Sequence, residues 1–164
     1  MLNQSIIPEL QHEAAQTRKM LEKVPAEQFD WRPHQKSMSL KGLGGHVAEL
    51  PGWVTMAIKK TELDFSTFDY KPYQAQSTED LVAYFEKNVQ EALEALQAAT
   101  DEALMEPWSL RNGETIYFTM PRIAVIRSMA LNHLIHHRGQ LSVYLRLLEV
   151  PVPGMYGPSA DEMP

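Results

Sequence analysis

Apolar residues recur every three or four positions through four separate stretches of this chain, and that repetition limits the fold more than any other feature. The first stretch runs from about Asn3 to Val24, with Ile6, Ile7, Leu10, Ala14, Thr17, Leu21 and Val24 on one side and Pro25 to end it. The second follows Ser39, a suitable N-cap, and carries Leu43, Val47, Leu50, Val54 and Ile58 to about Thr61. Pro51 should kink this stretch rather than end it, because the pattern resumes in phase. The third opens with the capping sequence Ser77-Thr78-Glu79-Asp80 and runs through Leu81, Phe85, Val89, Ala92 and Leu96 to about Ala99. The fourth starts near Pro121 and runs to Glu149, before Val150-Pro151. Each predicts a helix of roughly 20 residues or more, about 30–40 Å long. Matched helices with one apolar stripe apiece predict an all-α protein, a four-helix bundle.

The connections differ in length. A short loop with Trp31-Arg32-Pro33 joins the first two helices, whereas the next joint, Leu63 to Gln76, is long and aromatic. The third holds Asn112-Gly113 between alternating residues, which predicts a small hairpin before the last helix. Two long joints allow helices to cross the bundle. Residues 151–164, rich in Pro and Gly, should be irregular, and the 164-residue chain shows no internal repeat, so residues 1–164 are expected to form one domain.

A formal net charge of −6 with scattered basic residues argues against a nucleic-acid binder. No apolar run is long enough for a bilayer, and the start Met1-Leu2-Asn3-Gln4 lacks a signal-peptide pattern, so the expected compartment is the cytoplasm. The absence of cysteine excludes disulfides and thiolate metal sites. Any metal must be held by nitrogen or oxygen.

His133 and His137 stand four apart in the fourth helix, stacked one turn apart and about 40° from each other on its apolar side. Two buried imidazoles present four ring nitrogens that need partners, and a shared ion is one solution. His136 is turned about 60° further away from the core, toward solvent. His46 lies at the margin of the second helix's stripe, after Gly42, Gly44 and Gly45, which are poor helix formers. Such glycines let a neighbouring backbone or a ligand approach closely. His46 is therefore a candidate third ligand, the competing assignment being a hydrogen-bonded core histidine.

The run from His133 to Leu141, with Arg138-Gly139-Gln140 after the second histidine, resembles the signature of the DinB/YfiT-like superfamily. So do Gly45-His46-Val47-Ala48-Glu49-Leu50-Pro51-Gly52-Trp53 and the ending from Pro151 to Glu162. The resemblance covers nearly the whole length. It implies up-down-down-up helix order, a divalent metal held by His46, His133 and His137, and a homodimer. It also implies chemistry similar to that of bacillithiol transferases, a mycothiol-dependent isomerase or metal-dependent hydrolases.

Three neutral imidazoles leave an ion its full charge and an open position, the pattern of catalytic sites. The expected function is therefore that of a metal-dependent enzyme that activates water or a low-molecular-weight thiol, as a hydrolase or thiol S-transferase. The alternatives are a non-catalytic metal-binding protein of stress or damage response, and a helical module whose histidines only pack. Zinc is the expected ion, with nickel, manganese, iron and copper as the other choices for imidazole. Catalytic candidates are Glu49, Gln140 and Tyr144. Gln140 and Tyr144 share an edge with the histidine pair, whereas Glu49 sits about 60° away from the core centre, where a solvated carboxylate is the ordinary case. His12 and His34 should be exposed, Trp31, Trp53 and Trp108 should anchor the core or line the pocket, and Arg138 should form a salt bridge.

Overall fold

Pro51 decides how the second apolar stretch folds. In the computed structural model, which describes residues 1–163, the backbone stays helical through Leu50 (φ −57°, ψ −35°) and Pro51 (φ −59°, ψ −31°). Pro51 has no N–H to give to the preceding turn. The next amides reach back only three residues, Trp53 to Leu50 and Val54 to Pro51, both at 3.1 Å. The expected kink is thus a break between α2 (Leu40–Glu49) and α3 (Gly52–Lys59). Asn88 supports it from the facing helix, donating Nδ2 to the Ala48 carbonyl at 2.9 Å.

The other long helices follow their stretches. α1 spans Asn3–Leu21, and α4 spans Thr78–Ala98. Ser39 and Ser77 are N-caps as expected, accepting from the amides of Gly42 and Asp80 at 3.1 Å. A short helix not foreseen from the sequence, α5 (Asp101–Met105), is capped by Thr100.

The all-α expectation is corrected. β1 (Glu62–Asp64), β2 (Pro107–Asn112) and β3 (Thr115–Pro121) form a sheet in that order, β1 parallel to β2 and β2 antiparallel to β3. The expected hairpin is present, but its central residues are Gly113 and Glu114, since Asn112 pairs with Thr115. Gly113 carries φ 59°, the demand of a turn with glycine first. β1 escaped notice because only Leu63 in it is buried and its partner strand lies more than forty residues away.

The fourth stretch is composite: α6 (Arg122–Val125), a π-helix (Ile126–Asn132), then α7 (His133–Leu147). A π turn holds more residues than an α turn, so a wheel of constant step fails there, and Ala130 and Leu131 are both buried. Beyond it Leu134, His137, Arg138, Leu141 and Leu145 face inward. Leu148 lies past the helix end and is half-buried.

The helix closes with the Glu149 amide on the Arg146 carbonyl and the Val150 amide on that of Leu145, at 3.1 and 3.0 Å. This closure requires a left-handed residue, and Glu149 supplies it at φ 57°. Glu149→Gly is expected to add about 0.5–1 kcal/mol, net of glycine's greater freedom when unfolded. Thermal melts should show a rise of roughly 1–4 °C; a fall would mean that the Glu149 side chain contributes more than its backbone conformation costs.

α1 packs on α4 and α7, while α2 and α3 pack on α4, α2 also on α7 and α3 on the π-helix. Two apolar clusters result, one around Leu43, Leu81, Phe85 and Leu141, the other around Leu10, Val54, Leu96, Trp108 and Ile126. Trp53 packs against both. The tail is irregular over 151–163, and Pro164 lies outside the described residues. Among the described residues no helix is long and apolar enough to cross a membrane.

Candidate metal centre

The break at Pro51 and the π-helix bracket the point where α2 meets the start of α7, and the three histidines stand there. His46 is in the last turn of α2, while His133 and His137 occupy the first two turns of α7. His133 Nε2 lies 3.3 Å from His46 Nε2 and 2.8 Å from His137 Nε2. One ring nitrogen from each of the three falls within 4.8 Å of the others. Sequence spacing alone paired His133 with His137; the packing of α2 on α7 brings in His46.

The outward nitrogens explain why the inner ones can accept an ion. His46 Nδ1 meets Glu49 Oε1 at 2.6 Å, His137 Nδ1 meets Gln140 Oε1 at 2.7 Å, and His133 Nδ1 meets the Met129 carbonyl at 3.3 Å. All three partners are acceptors, so each Nδ1 carries the proton and each Nε2 presents a lone pair. Three lone pairs aimed at one another repel, and no hydrogen bond between them relieves this. A cation does. Burial also pushes the His137 imidazole down to about 4 and lowers that of His133, aided by the nearby histidines. Near neutral pH these rings are therefore uncharged, the form that ligates. Nitrogen donors, converging lone pairs and fixed outer partners together fit a divalent ion.

The accessory residues fall differently from their sequence readings. Glu49 is no solvated carboxylate: it is 8% exposed, because the loop after β1 covers it and Tyr70 donates its hydroxyl to Oε1 at 2.6 Å. Tyr70 went unrecognised; nothing in its local sequence distinguishes it from the other aromatics of that loop. Burial, then the bond to Glu49, raises the phenol well above its ordinary range and keeps it a donor. Gln140 does orient His137, and its amide nitrogen lies 3.1 Å from His136 Nε2. Tyr144 donates its hydroxyl to the Met38 carbonyl at 3.2 Å and packs its ring on Trp31.

His12, His34 and His136 are exposed, as expected. Trp108 is fully buried, Trp31 is half-buried, and Trp53 lies edge-on to His133 with ring centres 6.1 Å apart. Arg138 forms the expected salt bridge, with Glu13 at 2.6 Å, and is 2% exposed. The glycines before His46 make room for protein. A Cβ on Gly45 would sit 2.9 Å from the Tyr73 carbonyl oxygen, and one on Gly44 3.1 Å from Leu81.

Two solved structures share this architecture. A DinB-like protein of Bacillus subtilis, YjoA, is 22% identical with a TM-score of 0.71, over 92% of this chain and 97% of its own. A DinB-like protein of Bacillus cereus is 24% identical with a TM-score of 0.65, over 89% and 92% respectively. No curated protein matches the chain. The profile of the DinB family matches residues 1–164, from end to end, with the histidines of both α2 and α7 inside the match, and the chain belongs to the DinB family.

Proposed function

We propose that this protein binds a divalent metal, zinc by default, through His46, His133 and His137, and uses it to activate water or a low-molecular-weight thiol. One observation carries the reading: three Nε2 lone pairs converge while every Nδ1 is held by an acceptor. A bound divalent ion supplies Lewis acidity, which lowers the pKa of water or a thiol. The chain's own residues hold the rings aimed through their Nδ1 atoms, and Trp53 walls one side of the site. The four long helical runs are read as a bundle of up-down-down-up order, and the protein as a homodimer, on family resemblance.

Elemental analysis of untagged protein prepared without chelators tests the metal; one divalent ion per chain is expected, and its absence would leave a helical module with packed histidines. Nickel, manganese, iron or copper in place of zinc would revise only the identity of the ion. Turnover of ester, amide and electrophile panels, the last with added thiols, tests the chemistry. Activity that survives removal of the metal would overturn the enzymatic mechanism. A non-catalytic role is favoured instead if the metal raises the melting temperature strongly and no substrate class turns over. The physical basis of that alternative is that the histidines come from two packed helices, so an ion there would tie α2 to α7.

A further inference from the structure

We propose that Tyr70 is a positioning residue for the metal centre: its hydroxyl, donated to the Glu49 oxygen that also takes the His46 Nδ1–H, holds that carboxylate where it turns the His46 Nε2 lone pair toward the other two imidazoles. The inference rests on the reading that the three histidines bind a divalent ion.

Glu49 Oε1 receives two donors, each at 2.6 Å, one from His46 and one from Tyr70. Two short bonds converging on one oxygen fix the orientation of the carboxyl group, and loss of either donor frees it to turn. The carboxylate is 8% exposed, so water cannot readily replace a lost donor. Tyr70 is 45% exposed, yet its polar end turns inward to Glu49. Its ring meanwhile stacks on Phe68 with centres 6.1 Å apart. The neighbouring Tyr73 makes a bond of the same type to Asp80 at 2.5 Å and touches none of the site residues through its hydroxyl. One loop thus holds a tyrosine whose hydroxyl is tied to the metal centre and a tyrosine whose hydroxyl is tied to α4.

The location extends the consequence. Glu49, Trp53, Phe68, Tyr70, Tyr84 and Asn88 line a cavity of about 400 Å³. Two of these, Glu49 and Trp53, also touch imidazoles of the centre. A ligand in the cavity would meet the same groups that aim the histidines.

The test uses the full-length untagged protein, stripped of metal and titrated with zinc against a chromophoric chelator. Tyr70→Phe keeps the ring and should weaken zinc roughly tenfold, and Glu49→Gln roughly 10- to 100-fold, the range found when an outer partner of a ligating histidine is lost. Tyr73→Phe should leave the affinity unchanged. Nitrogen-15 spectra of the metal-free imidazoles supply a second readout, in which His46 should pass from a single Nδ1–H tautomer in the parent to a mixture in Tyr70→Phe. Parental affinity and an unchanged tautomer in Tyr70→Phe would overturn the proposal, while zinc uptake by the parent and its loss in His133→Ala would leave the metal reading standing. Equal weakening by Tyr73→Phe would also overturn it, since loop integrity would then explain the effect. A parent that takes up neither zinc nor any of nickel, manganese, iron and copper removes both readings.

Discussion

His133→Ala should abolish stoichiometric metal uptake, and the melting temperature of the metal-loaded protein should fall to that of the metal-free parent. His133 is the middle member of the cluster, with His46 Nε2 at 3.3 Å on one side and His137 Nε2 at 2.8 Å on the other. Without it, one ligand remains on each helix and the bridge between α2 and α7 is left with two donors. An ion present at a thousand times its dissociation constant stabilises the folded state by about 4 kcal/mol. For a chain of this size that corresponds to roughly 8–16 °C, all of which the variant should lose. The metal-free proteins should differ much less, because removal of one of three opposed lone pairs offsets the small void left behind. His136→Ala is the companion control: His136 is exposed and should leave uptake intact. Inductively coupled plasma analysis with parallel melts reads both quantities. Parental metal content in His133→Ala would show that the ligands have been wrongly assigned.

Glu13→Ala should cost about 3–5 kcal/mol, or a fall of roughly 6–20 °C in melting temperature. Arg138 is 2% exposed and Glu13 5%, and their charges meet at 2.6 Å between α7 and α1. Arg138 also donates to the Glu13 carbonyl and to Thr17 Oγ1, each at 3.1 Å, and to the Tyr156 hydroxyl at 2.6 Å. That hydroxyl passes the chain on, donating to Glu13 Oε2 at 2.8 Å. Truncation of Glu13 leaves a guanidinium charge buried, and that stranded charge, rather than the net worth of the pair, sets the large cost. The paired replacement Glu13→Leu with Arg138→Met should be far milder than either single change, which a double-mutant cycle followed by urea denaturation would measure. Additive costs would mean that the two residues act separately. Because Arg138 follows His137 directly, the single variants should also loosen the start of α7, where two of the three histidines stand.

The parts of the fold that could be read in the chain are those governed by neighbours in sequence. Ser39 and Ser77 cap helices because their side chains reach an amide three residues on. Pro51 was legible as a disturbance of the second helix because it lacks a donor, although the expected kink proved to be a break between α2 and α3. Asn112-Gly113 announced the hairpin, displaced by one residue because the strand register, not the dipeptide, chose the central pair. The π-helix was invisible because periodicity assumes a constant turn. At the site, His133 and His137 were paired by their spacing and the exposure of His136 followed from the same wheel. Tyr144 shares the pair's edge on the wheel, yet its hydroxyl goes to Met38, because a wheel does not say how far along the helix a ring sits from its neighbours.

What the amino-acid order determined unaided, then, was the four long helical stretches, the caps at Ser39 and Ser77, and the two imidazoles of α7, since each depends on atoms a few residues apart. Tertiary packing decided the rest. The approach of α2 to α7 joined His46 to the pair, a loop twenty-one residues on from Glu49 turned a surface carboxylate into a buried partner of His46, and α1 supplied the counter-charge for Arg138. Such contacts leave no trace in local periodicity, because their energy comes from excluding water between segments that the chain itself keeps far apart.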